Sequence, residues 1–304
     1  MLMLETILCG MRLSTPVMSA SGILDEHGAS MLRLLKSGAS AVTTKSIGEN
    51  PREGNPNPTI VEVDGGLING MGLPNPGMDL FRDEINEIKT AEPKAVIIGS
   101  IFGNSSESFS ILAKKMENCG VNALELNLSC PHAKGFGAEI GGDSDNVVEI
   151  TREVKKSVKC PVLVKITPNV ASVVDLAKAC EEGGADGIVA INTVRAMKID
   201  IRAGIPALSS VIGGLSGPAI RPIGVRCVYE IFEEISLPIV GVGGILNGRD
   251  AVEYMMAGAR AVQIGSAVYY REIDVFREIN DEIEHFLREE GLDPVEIIGM
   301  CHRR

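Results

Sequence analysis

Four segments of this chain repeat one pattern. KSGASAVTTKS (36–46), NCGVNALELNLS (118–129), EGGADGIVAINT (182–193) and MAGARAVQIGSA (256–267) each read as a helix end, a glycine, a short polar turn and an aliphatic or β-branched strand. TPVMSASG (15–22), KAVIIGSIFG (94–103), CPVLVKITP (160–168) and LPIVGVGGI (237–245) bring the expected strands to eight. Amphipathic stretches such as VVDLAKACEEGG lie between them. Alternation of this kind predicts parallel β-α units, with an open doubly wound sheet as the competing architecture. The count of eight and the lack of a midpoint reversal favour closure, so the expected fold is a single α/β domain over 1–304, a (β/α)8 TIM barrel.

Three stretches break the repeat. Residues 47–76 are too long for a β-α turn and predict a small antiparallel hairpin. Residues 131–144 are a glycine-rich loop, and 194–218 are a second long insert. Each follows a strand's C-terminal end, the face that carries the chemistry in barrels.

Composition narrows the function. Aromatic residues make up 4% and Trp is absent, so the core must be aliphatic. The net charge of −11 is unsuited to non-specific nucleic-acid binding, which needs Lys and Arg to replace counterions. No run approaches the roughly 20 apolar residues that span a bilayer, and the N-terminus has no cationic leader pattern. These features predict a cytoplasmic protein with no membrane or nucleic-acid partner. The seven cysteines are odd in number and form no C-x-x-C pair, which argues against a disulfide framework and a metal cradle. Cys119 and Cys180, near helix ends, are expected to be small buried hydrophobes.

The expected strand tips carry unusual residues: Ser21, Lys45 with Ser46, Asn127 then Cys130, Lys165, Asn192 with Thr193, Gly243 with Gly244, and Gly265 with Ser266. A buried strand does not favour Lys or Asn, because an unpaired buried polar group costs roughly 1–3 kcal/mol. Their recurrence at one predicted layer points to a site. The glycines after strands seven and eight suit a phosphate cradle. The two lysines leave two chemistries open: a Schiff-base nucleophile, or cations beside an electron-rich cofactor and an anionic substrate. The asparagines suit a planar, amide-rich ligand. A thiol at Cys130 can take a weakly acidic carbon-bound proton if a neighbour lowers its pKa. His132 is given no catalytic role.

SASG (19–22), TTKS (43–46), NGMGLPNPG (69–77), NLSCPH (127–132), VKITPN (164–169), INTVRAMKID (191–200), GGLSGPAI (213–220), GVGGI (241–245) and IGSAVY (264–269) together resemble the class 1 dihydroorotate dehydrogenases, in order and spacing. The resemblance implies a barrel with non-covalent FMN, one per chain, oxidising (S)-dihydroorotate to orotate in pyrimidine biosynthesis. It implies Cys130 as the base that removes the C5 proton. It implies substrate contacts from Lys45, Asn69, Gly70, Met71, Gly72, Leu73, Asn127, Asn192 and Thr193. It implies FMN contacts from Ser21, Lys45, Ser46, Asn127, Lys165, Ile191, Gly217, Gly243, Gly244, Gly265 and Ser266, with no metal. A Cys base and a start close to strand one look like class 1 rather than the membrane-associated class 2. INTVRAMKIDI and GGLSGPAI look like class 1B, whose catalytic subunit passes electrons to NAD+ through a partner subunit carrying FAD and a [2Fe-2S] cluster. The implied assembly is a homodimer core flanked by two such subunits in a heterotetramer. His132 stands where bacterial members commonly have Asn, and SCPH also resembles the pyrimidine-reducing FMN barrel of dihydropyrimidine dehydrogenase. A fumarate-dependent class 1A-like enzyme, a flavin-free Schiff-base lyase and a non-catalytic phosphate-binding barrel are the other readings.

Overall fold

The computed structural model describes residues 4–128 and 141–303. Its centre is an eight-stranded parallel sheet: β1 (Val17–Ser19), β2 (Val42–Thr43), β3 (Ile97–Ile101), β4 (Ala123–Asn127), β5 (Val162–Ile166), β6 (Gly187–Ala190), β7 (Ile239–Val242) and β8 (Ala259–Ile264). The spatial order β1-β8-β7-β6-β5-β4-β3-β2 leaves β1 and β2 at the two ends. Those ends meet: Ser19 N donates to Ala41 O at 3.0 Å and Ser40 N to Val17 O at 2.9 Å. The sheet is thus wound into a TIM barrel, as the eightfold alternation predicts.

The helices are α1 (Gly28–Lys36), α2 (Met78–Ala91), α3 (Ser106–Asn118), α4 (Ser144–Ser157), α5 (Val173–Glu182), α6 (Arg221–Glu234), α7 (Gly248–Met256), the short α8 (Ala267–Arg271) and α9 (Val275–Glu290). Their starts are written locally. Ser105 and Ser108 form a reciprocal capping box on α3, while Asp143, Ser172 and Asn247 each accept a backbone N–H in the first turn of α4, α5 and α7. The repeated glycine explains their ends. Gly38, Gly120, Gly184 and Gly258 all have positive φ, so each repeat turns from helix to strand through a conformation that a side chain resists.

Two apolar layers result. One, between strands and helices, includes Phe81, Phe109, Tyr254 and Phe276. The other fills the barrel, with Met18, Ala41, Ile98, Ala123, Leu163, Val240 and Ala261 pointing inward. An N-terminal hairpin, Thr6–Leu8 with Met11–Leu13, adds Leu8, Met11 and Leu13 to this inner layer. Sequence reading gave that segment no structural part. Cys119 and Cys180 are both buried. Among the described residues no disulfide forms, no helix is long and apolar enough to cross a membrane, and no cluster of three metal-ligating side chains occurs.

The expected hairpin in 47–76 is present as Ile60–Val63 and Gly66–Asn69. It is half of a larger object. The insert after β6 contributes Val194–Ala196 and Gly213–Ser216, and Gly214 pairs with Asn69 to make one four-stranded antiparallel sheet. A further two-stranded hairpin, Ile199–Asp200 with Ile205–Pro206, extends from the second insert.

Candidate active site

A cavity of about 330 Å³ opens between the C-terminal ends of the barrel strands and the four-stranded sheet. This lies in the range of small-molecule sites, roughly 300–1,000 Å³. Lys45 and Ser46 reach it just beyond β2, Asn127 from the end of β4, Lys165 from within β5, and Ile191, Asn192 and Thr193 from beyond β6. Gly243 and Gly244 follow β7, while Gly265 and Ser266 follow β8 and lead into α8. Ser21 comes from the loop after β1. The sheet supplies Asn69, and the loop behind it supplies Met71, Gly72 and Leu73.

A chain of hydrogen bonds orders the mouth. Ser46 Oγ and Ser100 Oγ are 2.8 Å apart, and Asn127 Nδ2 donates to Ser46 Oγ at 2.9 Å. Asn192 Nδ2 donates to Asn127 Oδ1 at 3.2 Å, and Thr193 N donates to Asn192 Oδ1 at 2.8 Å. Residues far apart in sequence are therefore oriented by one another. Half-buried amides partnered in this way lose little on desolvation and hold fixed rotamers.

Both lysines are paired with carboxylates. Lys45 Nζ lies 2.7 Å from Glu26, which is largely exposed. Next to Glu26, Asp25 is buried and accepts from Gly22 N; burial pushes its carboxyl up to about 6, against the opposing pull of Lys45. Lys165 Nζ lies 3.5 Å from Glu125 Oε1, with both side chains almost fully buried. Gln263 Nε2 donates to Glu125 Oε2 at 2.8 Å and is 3.2 Å from Thr43 Oγ1.

The glycine turn after β7 is built for close backbone approach. Gly244 has φ +71°, and a Cβ there would lie 2.6 Å from Gly217 O. Tyr254 OH donates to Gly243 O at 2.7 Å and fixes the turn from behind.

Two expected contacts stand elsewhere. Gly70 is not among the described residues that line the cavity; it packs so closely on Ser210 that a Cβ would meet its Oγ at 2.0 Å. Gly217 likewise backs Gly244 instead of lining the cavity. Cys130 and His132 lie outside the described residues. Sequence reading missed Gln263, Ser216 and Tyr269, which line the cavity, and Glu125 behind them. A signal for two of these was available: Glu125 and Gln263 stand two residues before Asn127 and Gly265, on the same strand face.

A family model described as dihydroorotate dehydrogenase matches residues 3–287. The chain belongs to the dihydroorotate dehydrogenase family. The catalytic subunit of dihydroorotate dehydrogenase B (NAD(+)) from Methanocaldococcus jannaschii is 54% identical over 302 residues, covering 99% of this chain and 98% of that protein. The subunit of the same name from Thermoplasma volcanium is 51% identical and covers 99% of each chain. A crystal structure of DHODH in complex with ferulenol from Eimeria tenella superposes with a TM-score of 0.88 over 99% of this chain and 89% of that one; at 24% identity it speaks to the fold. Within this dihydroorotate dehydrogenase barrel, the two inserts and the strand tips that the motifs single out are the parts that enclose the cavity.

Proposed function

We propose that this chain is the catalytic subunit of an NAD+-dependent dihydroorotate dehydrogenase that oxidises (S)-dihydroorotate to orotate in pyrimidine biosynthesis. The observation that carries the reading is the convergence of Lys45, Asn69, Asn127, Lys165, Asn192 and Thr193 on one cavity, in a chain about half identical to such subunits from end to end. FMN fits the residues present. The turn at Gly244 has no room for a side chain, and with Gly265 and Ser266 it would receive the phosphate. Lys165 and Gln263 would meet the polar edge of the ring, with Ile191 and Val242 offering apolar surface. When bound, FMN supplies an acceptor for the hydride from C6 of the substrate.

The chain's own residues do the rest. Asn69, Asn127, Asn192 and Thr193 offer amide and hydroxyl groups that match a dihydropyrimidine ring and its carboxylate. Lys45 supplies positive charge to the anionic substrate. Met71, Gly72 and Leu73 close the side under the four-stranded sheet and exclude water. Cys130 takes the C5 proton. Electrons leave to NAD+ through a partner subunit bearing FAD and a [2Fe-2S] cluster, flanking a homodimer of this chain in the cytoplasm.

The test is purification with and without co-expressed partner, followed by turnover with dihydroorotate and NAD+, fumarate, a quinone or uracil/NADH. Yellow protein that reduces NAD+ only with the partner supports the reading. Colourless protein that takes up no FMN, or flavin-loaded protein inert toward dihydroorotate, overturns it.

A further inference from the structure

The barrel interior changes character below the cavity. Inward positions of TIM barrels are usually filled with bulky aliphatic side chains, and the lower layer here conforms. Just under the cavity, Glu125 on β4, Lys165 on β5, Gln263 on β8 and Thr43 on β2 form one polar cluster, each nearly or wholly buried. β4 and β8 are four places apart in the strand order. The 2.8 Å bond from Gln263 to Glu125 therefore crosses the barrel instead of following its wall. Glu125 does not line the cavity, whereas Lys165 and Gln263 do. Its carboxylate stands behind both and touches both.

Such a carboxylate is expensive to bury without a purpose, since charge is withdrawn from water on both sides of the pair. Packing alone needs no acid here. What the arrangement does provide is a fixed carboxylate 3.5 Å from Lys165, a buried lysine that reaches the cavity floor. A cation at the edge of a flavin stabilises the reduced ring and raises its potential. An anion directly behind that cation holds the ammonium back from the ring edge and so limits the charge the ring meets. We propose that Glu125 is a positioning residue: it holds the Lys165 ammonium at the cavity floor and sets how much positive charge a bound flavin meets. The proposal rests on the FMN reading above.

The experiment measures the midpoint potential of FMN in the flavin-loaded protein at pH 7, at saturating FMN for every variant. Glu125→Gln keeps shape and an acceptor for Gln263 but removes the charge. It is expected to shift the reduction equilibrium about tenfold toward the reduced flavin, which is roughly +30 mV for a two-electron couple. Lys165→Met is expected to shift it the other way. Adding Glu125→Gln to Lys165→Met is expected to change nothing further, because Glu125 acts through the lysine. Where Glu125→Gln does not fold, the paired Glu125→Met/Lys165→Met variant is compared with Lys165→Met alone, and equal potentials are expected. Flavin-loaded Glu125→Gln with the wild-type potential overturns the proposal. So does a shift that survives in the Lys165→Met background. Wild-type protein that binds no FMN in a fluorescence titration removes the functional reading itself, and the role of Glu125 with it.

Discussion

Asn192 donates its side-chain amide to the side-chain oxygen of Asn127, 65 residues earlier in the chain, and Asn127 in turn donates to Ser46. Three strand ends are thereby locked into one array at the cavity mouth. Asn127→Ala removes an acceptor from Asn192 and a donor from Ser46. Losing one partner of a fully buried bond costs about 1–3 kcal/mol, and these half-buried bonds fall toward the lower end. We expect kcat/KM for dihydroorotate to fall roughly 10–100-fold, with a lower melting temperature. Steady-state kinetics and a thermal scan check this; unchanged kcat/KM would remove the array from substrate binding.

Asp25 gives a signed pH effect. Its carboxyl sits at about 6 in the folded chain against an ordinary value near 3.8, because it is buried. Between those values the folded state holds the proton that the unfolded chain has released. The group's contribution is therefore complete at acid pH and is lost as pH rises through 6. Asp25→Asn keeps an oxygen for Gly22 N and cannot ionise. Relative to the wild type, it is expected to gain on the order of 2 kcal/mol between pH 4 and pH 7. Urea unfolding at both pH values measures the difference, and a constant gap between the two proteins would refute it.

Gly244→Ala places a methyl group against Gly217 O in a backbone conformation with φ +71°. Strain of this sort costs of order 1–3 kcal/mol. The turn is expected to shift and FMN to bind roughly tenfold or more weakly, read from flavin fluorescence on titration. Gly120→Ala provides the control. That glycine also has positive φ but meets nothing within 4 Å, and it lies far from the cavity. It is expected to lose stability without losing FMN.

Cys130→Ser is expected to retain FMN and to lower dihydroorotate oxidation at neutral pH by roughly 10²–10⁴-fold, the usual worth of a positioned general base. Activity should recover in part at high pH. Other thiols are poor substitutes: burial pushes Cys9 and Cys160 up to about 12 and Cys227 up to about 11. Iodoacetamide at pH 7.5 should accordingly modify Cys130 and the exposed Cys301, with orotate protecting Cys130 alone. Mass spectrometry of the alkylated peptides reads this directly, and equal labelling of Cys9 or Cys160 would contradict the burial argument.

The barrel was legible because each β-α unit announces itself locally. A glycine such as Gly38 or Gly184 must leave the helix with positive φ, and a run of β-branched residues follows at once. Lys165 and Asn127 stood out for a related reason: neither belongs on a buried strand unless something holds it. What held them was not legible. The partners of Lys165 and Gln263 depend on the stagger of the closed sheet, which brings β4 opposite β8. Nothing in the neighbourhood of Glu125 in the sequence reports that. Gly70 and Gly217 sit inside motifs that do line the cavity, yet their backbones face Ser210 and Gly244. Motif membership places a residue to within a few ångströms and leaves its direction open. The N-terminal hairpin was missed because three apolar side chains on short strands carry no period strong enough to read.

The four-stranded sheet over the mouth is assembled from segments about 145 residues apart, joined where Gly214 pairs with Asn69. Neither half has a complete set of neighbours alone. A chimera that imports one insert from a relative and keeps the native version of the other would mismatch that seam, so the two stretches form a single unit of exchange for anyone re-engineering substrate choice in this scaffold.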